Sequence, residues 1–188
     1  MSIDQQLLNA CQKGDRKSQF RLYKASYGLL MSICIRYENN KDDADCLLNK
    51  GFMKILTSLD KYTPQASFLA WARRVMTNVA IDEFRRNKKY KQHIQHIDFS
   101  ETQIEPETHN EAIDFPVKPK EIEKLIQELP PMSKQIFNLF VFDNYKHKEI
   151  AEIMNISEGT SKWHVSNARK LLKEKINLIT STPKIRML

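Results

Sequence analysis

Glycine is scarce in this chain, four residues among 188. That excludes the Gly-rich loops that cradle phosphates in nucleotide-binding enzymes, and it leaves few of the tight turns that a β-rich fold needs. No segment alternates apolar and polar residues for long, so no sheet is expected. Cysteine is equally rare. Cys11, Cys34 and Cys46 are odd in number and show no metal-ligand spacing, so they read as free, reduced thiols acting as small hydrophobes. No apolar run reaches the roughly 20 residues of a membrane span. The opening Met1-Ser-Ile-Asp-Gln-Gln lacks a basic segment followed by an apolar one, so no signal peptide is expected. These absences describe a cytoplasmic protein with no membrane insertion, cofactor or metal.

What the chain has is cationic charge and helical periodicity. A net charge of +7 and a pI near 9.2 favour a polyanionic partner. The charge is unevenly placed. Residues 1–88 carry 15 Lys and Arg against 9 Asp and Glu, a net of +6. Residues 89–117 carry 2 against 6, a net of −4, and residues 118–188 carry 13 against 8, a net of +5. Two basic blocks therefore flank an acidic connector.

The apolar pattern gives the same division. Leu7, Leu8 and Cys11 open a short helix that stops near Gly14. Phe20, Tyr23, Leu30, Ile33 and Cys34 fit a longer one. Asp42-Asp43 begins a third, with Leu47, Leu48, Phe52, Ile55, Leu56 and Leu59 on one stripe. Tyr62-Thr63-Pro64 breaks the pattern. A fourth helix, from about Ser67 to Arg86, carries Phe68, Trp71, Ala72, Val75, Val79 and Phe84. Residues 89–117 show no periodicity and read as a flexible linker. Periodicity returns with Ile122, Leu125, Ile126 and Leu129, and Pro130-Pro131 ends that helix. Ser133 is placed to cap the next, which carries Ile136, Phe137, Leu139, Phe140 and Val141. The expected fold is all-α: a helical domain over 1–88, the linker over 89–117, and a four-helix domain over 118–188.

The last two helices are the most informative. Ile150, Ala151, Ile153 and Met154 supply the inward face of one, and Asn155-Ile156 forms a turn. Ser157 is placed to cap the other, with Glu158 in its first turn, where the helix dipole favours an anion. Apolar residues then recur at Val165, Ala168, Leu172, Ile176 and Ile179. Ser161, Lys162, Trp163, His164, Ser166, Asn167, Arg169 and Lys170 are left for other faces. The pattern reads as a helix-turn-helix that would present donors and cations to the DNA major groove. Plain core helices with a polar turn between them are the competing reading.

In the second half, Leu125-x-x-x-Leu129-Pro130, Phe137, Glu149-Ile-Ala-Glu-Ile-Met, Ser157-Glu-Gly-Thr160 and Ala168-Arg169 form one set. In the first half, Asp43-Ala-Asp45, Phe52, Phe68-x-x-Trp71, Asn78, Asp82 and Arg85-Arg86 form another. Together they resemble the two-domain sigma factors of bacterial RNA polymerase, of the extracytoplasmic-function type. The resemblance covers everything except the linker and the ends. It implies a non-enzymatic initiation factor. Its partners would be core RNA polymerase, through the clamp of the largest subunit and the flap region for the C-terminal domain, together with promoter DNA and an anti-sigma factor. Asp43, Asp45, Asn49, Lys50 and Phe52 would meet the clamp. At Cys46, Asn49 and Lys50 the family usually has an acid and then a glutamine–acid pair, so Lys50 reverses a charge on that face.

For opening the −10 element, the candidates are Lys61, Tyr62, Phe68, Trp71, Arg74, Asn78, Arg85 and Arg86, with Arg73, Lys88 and Lys89 as further phosphate contacts. Flat rings replace lost base stacking, and cations track the backbone. Asn78 can read a base edge. Packing within the helix competes as a role for Phe68 and Trp71, and a solvated helix end for Arg85-Arg86. For the −35 element, matching by position turns Lys162, Trp163, Ser166 and Asn167 toward bases. Trp163 would pack on a thymine methyl or a sugar, or only cover its helix. His164, Arg169, Lys170 and Lys146 would hold phosphates, which position without specifying. Two rivals remain at this point. A conventional dimeric regulator would use the same motif on paired half-sites of duplex DNA. A DNA-acting enzyme would need clustered carboxylates, and Asp42, Asp43 and Asp45 sit at a helix start, where acids are expected anyway.

Overall fold

A computed structural model describes residues 3–94 and 119–181. Within them the protein is all-helical, as its sequence pattern requires, with no strand. The chain divides into two compact units, Met1–Ile97 and Asp98–Leu188. The segment 95–118, which holds most of the expected linker, lies outside the described residues.

The first unit contains α1 (Gln5–Gln12), α2 (Arg16–Tyr37), α3 (Lys41–Thr57), a short 3-10 turn at Leu59–Lys61, and α4 (Phe68–Ile94). Short polar side chains start the first three helices. Asp4 accepts from the Leu7 amide at 2.8 Å, Asp15 from Ser18 at 3.0 Å, and Asn40 from Asp43 at 2.8 Å. Each satisfies a donor that the first helical turn leaves unpaired. Gly14, with φ +82°, supplies the left-handed residue that turns the chain from α1 into α2. Leu22, Leu30, Ile33, Leu47, Leu48, Ile55, Met76 and Ile81 are fully buried and form the core.

Gly51 lets α3 and α4 approach closely. A Cβ built there overlaps Sδ and Cε of Met76, itself fully buried with its sulfur 3.6 Å from that of Cys34. Burial pushes the Cys34 thiol up to about 12, so this thiol packs rather than reacts. Cys11 is buried too, but Cys46 is exposed and does not serve as a core hydrophobe. Phe20, one of the recurring apolar residues of α2, is 58% exposed with the Lys24 ammonium 4.5 Å over its ring.

The second unit contains α5 (Pro119–Gln127), α6 (Pro131–Val141), α7 (His147–Met154) and α8 (Glu158–Ser181). Its core gathers Leu125, Ile126, Leu129, Phe137, Ala168, Leu172 and Ile176. Ser157 caps α8 as expected, accepting from the Thr160 amide at 2.9 Å. Asn155 ends α7 in the left-handed region, φ +53°, which Asn tolerates better than most residues.

Two boundaries differ from the sequence reading. Ser133 does not cap α6, which begins two residues earlier with Pro131 after Pro130. Proline suits the first helical position because its missing N–H would be unpaired there anyway. The backbone of α4 continues past Arg86 to Ile94, into the segment assigned to the linker. No Gly or Pro falls between Arg86 and Ile94.

Replacing Gly51 with Leu is expected to destabilise the first unit by about 1–3 kcal/mol, because a filled core takes extra volume only by strain. Urea unfolding followed by Trp71 fluorescence in a Trp163→Phe background measures it, and an unchanged midpoint would contradict the close approach.

Candidate nucleic-acid interfaces

In the first unit the apolar stripe of α4 faces inward through Phe68, Ala72, Met76 and Ala80, all buried. The opposite stripe carries Trp71, Arg74, Asn78, Asp82 and Arg85 at spacings of three or four residues, which places them on one helical face. Arg74, Asn78, Asp82 and Arg85 are exposed and Trp71 is half-buried. Beside this stripe lies a cleft of about 210 Å³ between α3, the 3-10 turn and α4, lined by Lys54, Ser58, Lys61, Trp71, Asn78 and Asp82.

Trp71, which lines the cleft, belongs to a cluster of three aromatic rings. Tyr62, Phe68 and Trp71 lie with centroids 5.5–5.8 Å apart, tilted or edge-on to one another. The Tyr62 hydroxyl donates to the Ala66 carbonyl at 2.8 Å and fixes the loop before α4. Phe68 is 5% exposed and belongs to the core, so it supports the other two rings. Trp71 and Tyr62 keep part of their surface open for stacking. Arg86 stands apart from the stripe, its guanidinium 3.5 Å from Glu83.

The candidate docking residues on α3 separate into two groups. Asp43 belongs to the helix start, its carboxylate accepting from the Asn40 side chain at 2.7 Å. Phe52 is buried and packs edge-on against Tyr23 at 5.0 Å, so it shapes the face from beneath. Asn49 and Lys50 are exposed and Asp45 half-buried. The Lys50 ammonium lies 2.9 Å from Glu83 of α4, so the charge reversed at this position is balanced within the chain.

In the second unit, Ser161, Val165, Ala168, Leu172 and Ile176 are buried along one side of α8. This turns Trp163, Ser166 and Asn167, all half-buried, and the exposed Lys170 away from that side, with the exposed Lys162 and Arg169 on one flank. Lys162 pairs with Glu158 one turn earlier at 2.9 Å, and that bond holds the Glu158 carboxyl below its ordinary value. The Arg169 guanidinium lies 5.9 Å from the Phe140 ring. Lys146 is exposed ahead of α7, and its amide donates to Glu149 at 2.8 Å. His164 does not join the outward face. Its Nδ1 is 2.9 Å from the buried Ser133 hydroxyl, and the Trp163 ring stands edge-on against it.

Several contributors were not legible in the sequence. Lys54 and Ser58 line the cleft only because α3 and α4 pack together. Glu83 and His147 act through partners 33 and 14 residues away. The stripe on α4 alone carried a usable signal, since a three-to-four spacing from Trp71 and Arg74 reaches Asp82. Among the described residues no three His, Cys, Asp or Glu side chains gather as a metal site, and no helix is long and apolar enough to cross a membrane.

Comparison with known proteins bears on the family of each unit. The sigma-70 region 2 pattern matches residues 22–90, and the sigma-70 region 4 pattern matches residues 120–172. The sigma-E factor of Haemophilus influenzae, an extracytoplasmic-function sigma factor, is 23% identical over 92% of this chain and 95% of its own. SigV of Bacillus subtilis is 28% identical over 75% of this chain and 80% of its own. The sigma factor RpoE of Bartonella quintana, solved with the anti-sigma factor NepR, shares the fold at a TM-score of 0.51 and 19% identity, covering 84% of this chain and 96% of that one. The chain belongs to the sigma-70 family, in its extracytoplasmic-function branch. It is an alternative sigma factor directing transcription initiation at promoters, and the conventional dimeric regulator is set aside.

Burial, then the Lys162 and Arg169 charges, lowers the basicity of the His147 imidazole. A histidine that binds its proton less well when folded stabilises above its ordinary value near ~6.5 and ceases to as pH falls through the folded value. The second unit is therefore expected to lose stability between about pH 7 and 5, and His147→Asn to remove part of that loss. Denaturation followed by Trp163 fluorescence in a Trp71→Phe background reads this, and identical pH profiles would count against it.

Proposed function

We propose that each unit performs one half of promoter recognition. The first docks on the largest-subunit clamp of core RNA polymerase through α3, with Asp43, Asp45, Asn49 and Lys50 near the contact and Phe52 beneath it. Its cleft receives an unpaired base of the −10 non-template strand. Trp71 and Tyr62 stack beside that base, and Asn78 and Asp82 meet its polar edge, Asp82 as acceptor for an exocyclic amino group. Lys61, Arg74 and Arg85 track phosphates, and Arg86 reaches them by leaving Glu83. The single observation that carries this reading is the cleft set beside a basic and aromatic stripe.

The second unit lays α8 in the major groove at −35 and meets the polymerase flap region. Lys162, Trp163, Ser166 and Asn167 face bases, and Arg169, Lys170 and Lys146 hold phosphates. His164 contributes by fixing α8 against α6. The protein works in the cytoplasm and catalyses no reaction itself. The Bartonella relative is bound by an anti-sigma factor, and the same kind of partner is assigned to this chain.

Pull-down with core polymerase, followed by run-off transcription from genomic DNA of the source bacterium, tests the reading. Stable core binding with new start sites is the expected result. Tight binding of duplex DNA by a dimer without core binding would overturn it. On the promoters so mapped, Lys162→Ala or Asn167→Ala is expected to relax one −35 position by about 1–3 kcal/mol. Arg169→Ala or Lys170→Ala should weaken all sequences alike and lower the salt slope by roughly one. If all four variants behaved identically, the assignment of the outward face of α8 would fail.

A further inference from the structure

Two histidine–serine hydrogen bonds hold the recognition helix, one to α6 and one to α7. The Ser161 hydroxyl of α8 is fully buried and lies 3.0 Å from Nδ1 of His147, the first residue of α7. The Ser133 hydroxyl of α6 is buried and lies 2.9 Å from Nδ1 of His164 on α8. Nearby, Ile136, Leu139, Ile150, Met154, Val165 and Ala168 supply apolar burial. Apolar burial is non-directional, so it resists separation of helices better than their rotation or sliding. A hydrogen bond to a fixed ring resists both, because its strength falls steeply with angle.

The His147 ring is itself fixed. It stacks on Phe140 of α6 at 4.3 Å and 18° between planes. It therefore ties three helices together at the point where Ser161 adjoins Lys162. Its charged surroundings from α8 are Glu158, Lys162 and Arg169. On its own helix side stand Lys146, Lys148 and Glu149, with the Glu149 carboxylate folded back on the Lys146 amide. From α6 the charged Lys134 turns away to Gln127 of α5 at 3.1 Å. The Glu158 carboxylate is already paired with Lys162. Burial first, and then the Lys162 and Arg169 charges working against that of Glu158, disfavour the protonated imidazole in the free protein.

We propose that His147 is a positioning residue for −35 recognition: through Ser161 it sets the rotation of α8, and it takes up a proton when promoter phosphates approach Lys162 and Arg169. The inference rests on the −35 role given to α8 above. The phosphates add negative charge beside Lys162 and Arg169, so DNA binding and protonation favour each other. Linkage then fixes the sign, and −35 affinity rises as pH falls. His147 acts through Ser161 and its own charge, without reading a base.

The test uses holoenzyme assembled from the full chain and core polymerase, on a promoter fragment mapped by run-off transcription. Single base changes at −35, and separately at −10, give the discrimination at each element. His147→Ala and Ser161→Ala are each expected to lower −35 discrimination about fivefold, the worth of one net hydrogen bond, and to leave −10 discrimination unchanged. His147→Asn presents an amide to Ser161 but cannot titrate. It is expected to keep −35 discrimination near neutral pH and to lose the gain in affinity that the natural chain shows toward about pH 6. Equal losses at both elements, or the same pH profile in the natural chain and His147→Asn, would overturn the proposal. A chain that formed no holoenzyme would instead sink the functional reading on which it rests.

Discussion

Along α8 the buried residues Ser161, Val165, Ala168, Leu172 and Ile176 recur every three or four positions, and this seam decides which side chains remain for DNA. An amphipathic helix can present a polar face only if its apolar face is committed elsewhere. Here the commitment is shared among α5, α6 and α7, so the outward row of Trp163, Ser166, Asn167 and Lys170 follows from packing. Ser161 belongs to the seam and is polar. Its partner His147 adds direction to a contact whose strength comes from apolar area.

The first unit meets the same demand in another way. Helix α4 supplies core residues on one side and the candidate strand-separating surface on the other, so its placement against α3 matters for both. Gly51 and Met76 set the approach of the two helices. Lys50 and Glu83 bridge the same pair at the surface at 2.9 Å. A bridge this exposed adds little to stability; its consequence is electrostatic, because it removes a lone positive charge from the face assigned to core polymerase.

Much of the fold was legible because helical periodicity and caps are local. Asp42-Asp43, Ser157 and the stripe from Val165 to Ile176 marked their helices directly. The errors were local too. Ser133 looked like a cap because it is a serine near a helix start, yet its hydroxyl serves a tertiary contact with His164. Phe52 was assigned to the docking face and Phe68 left between stacking and packing, and both are buried. Lys50 read as a reversed charge, and the carboxylate that pairs with it lies 33 residues away. The cleft residues Lys54 and Ser58 were out of reach for the same reason: no spacing within one helix records what a second helix brings to it.

The central claim is that this chain opens DNA rather than merely binding it. Permanganate oxidation of unpaired thymines on a mapped promoter tests that most directly. With chain and core polymerase together, the account predicts reactive thymines across the −10 element and downstream of it, and none with either component alone. A promoter left fully paired by the complete holoenzyme, under conditions where that holoenzyme binds it, would contradict the account.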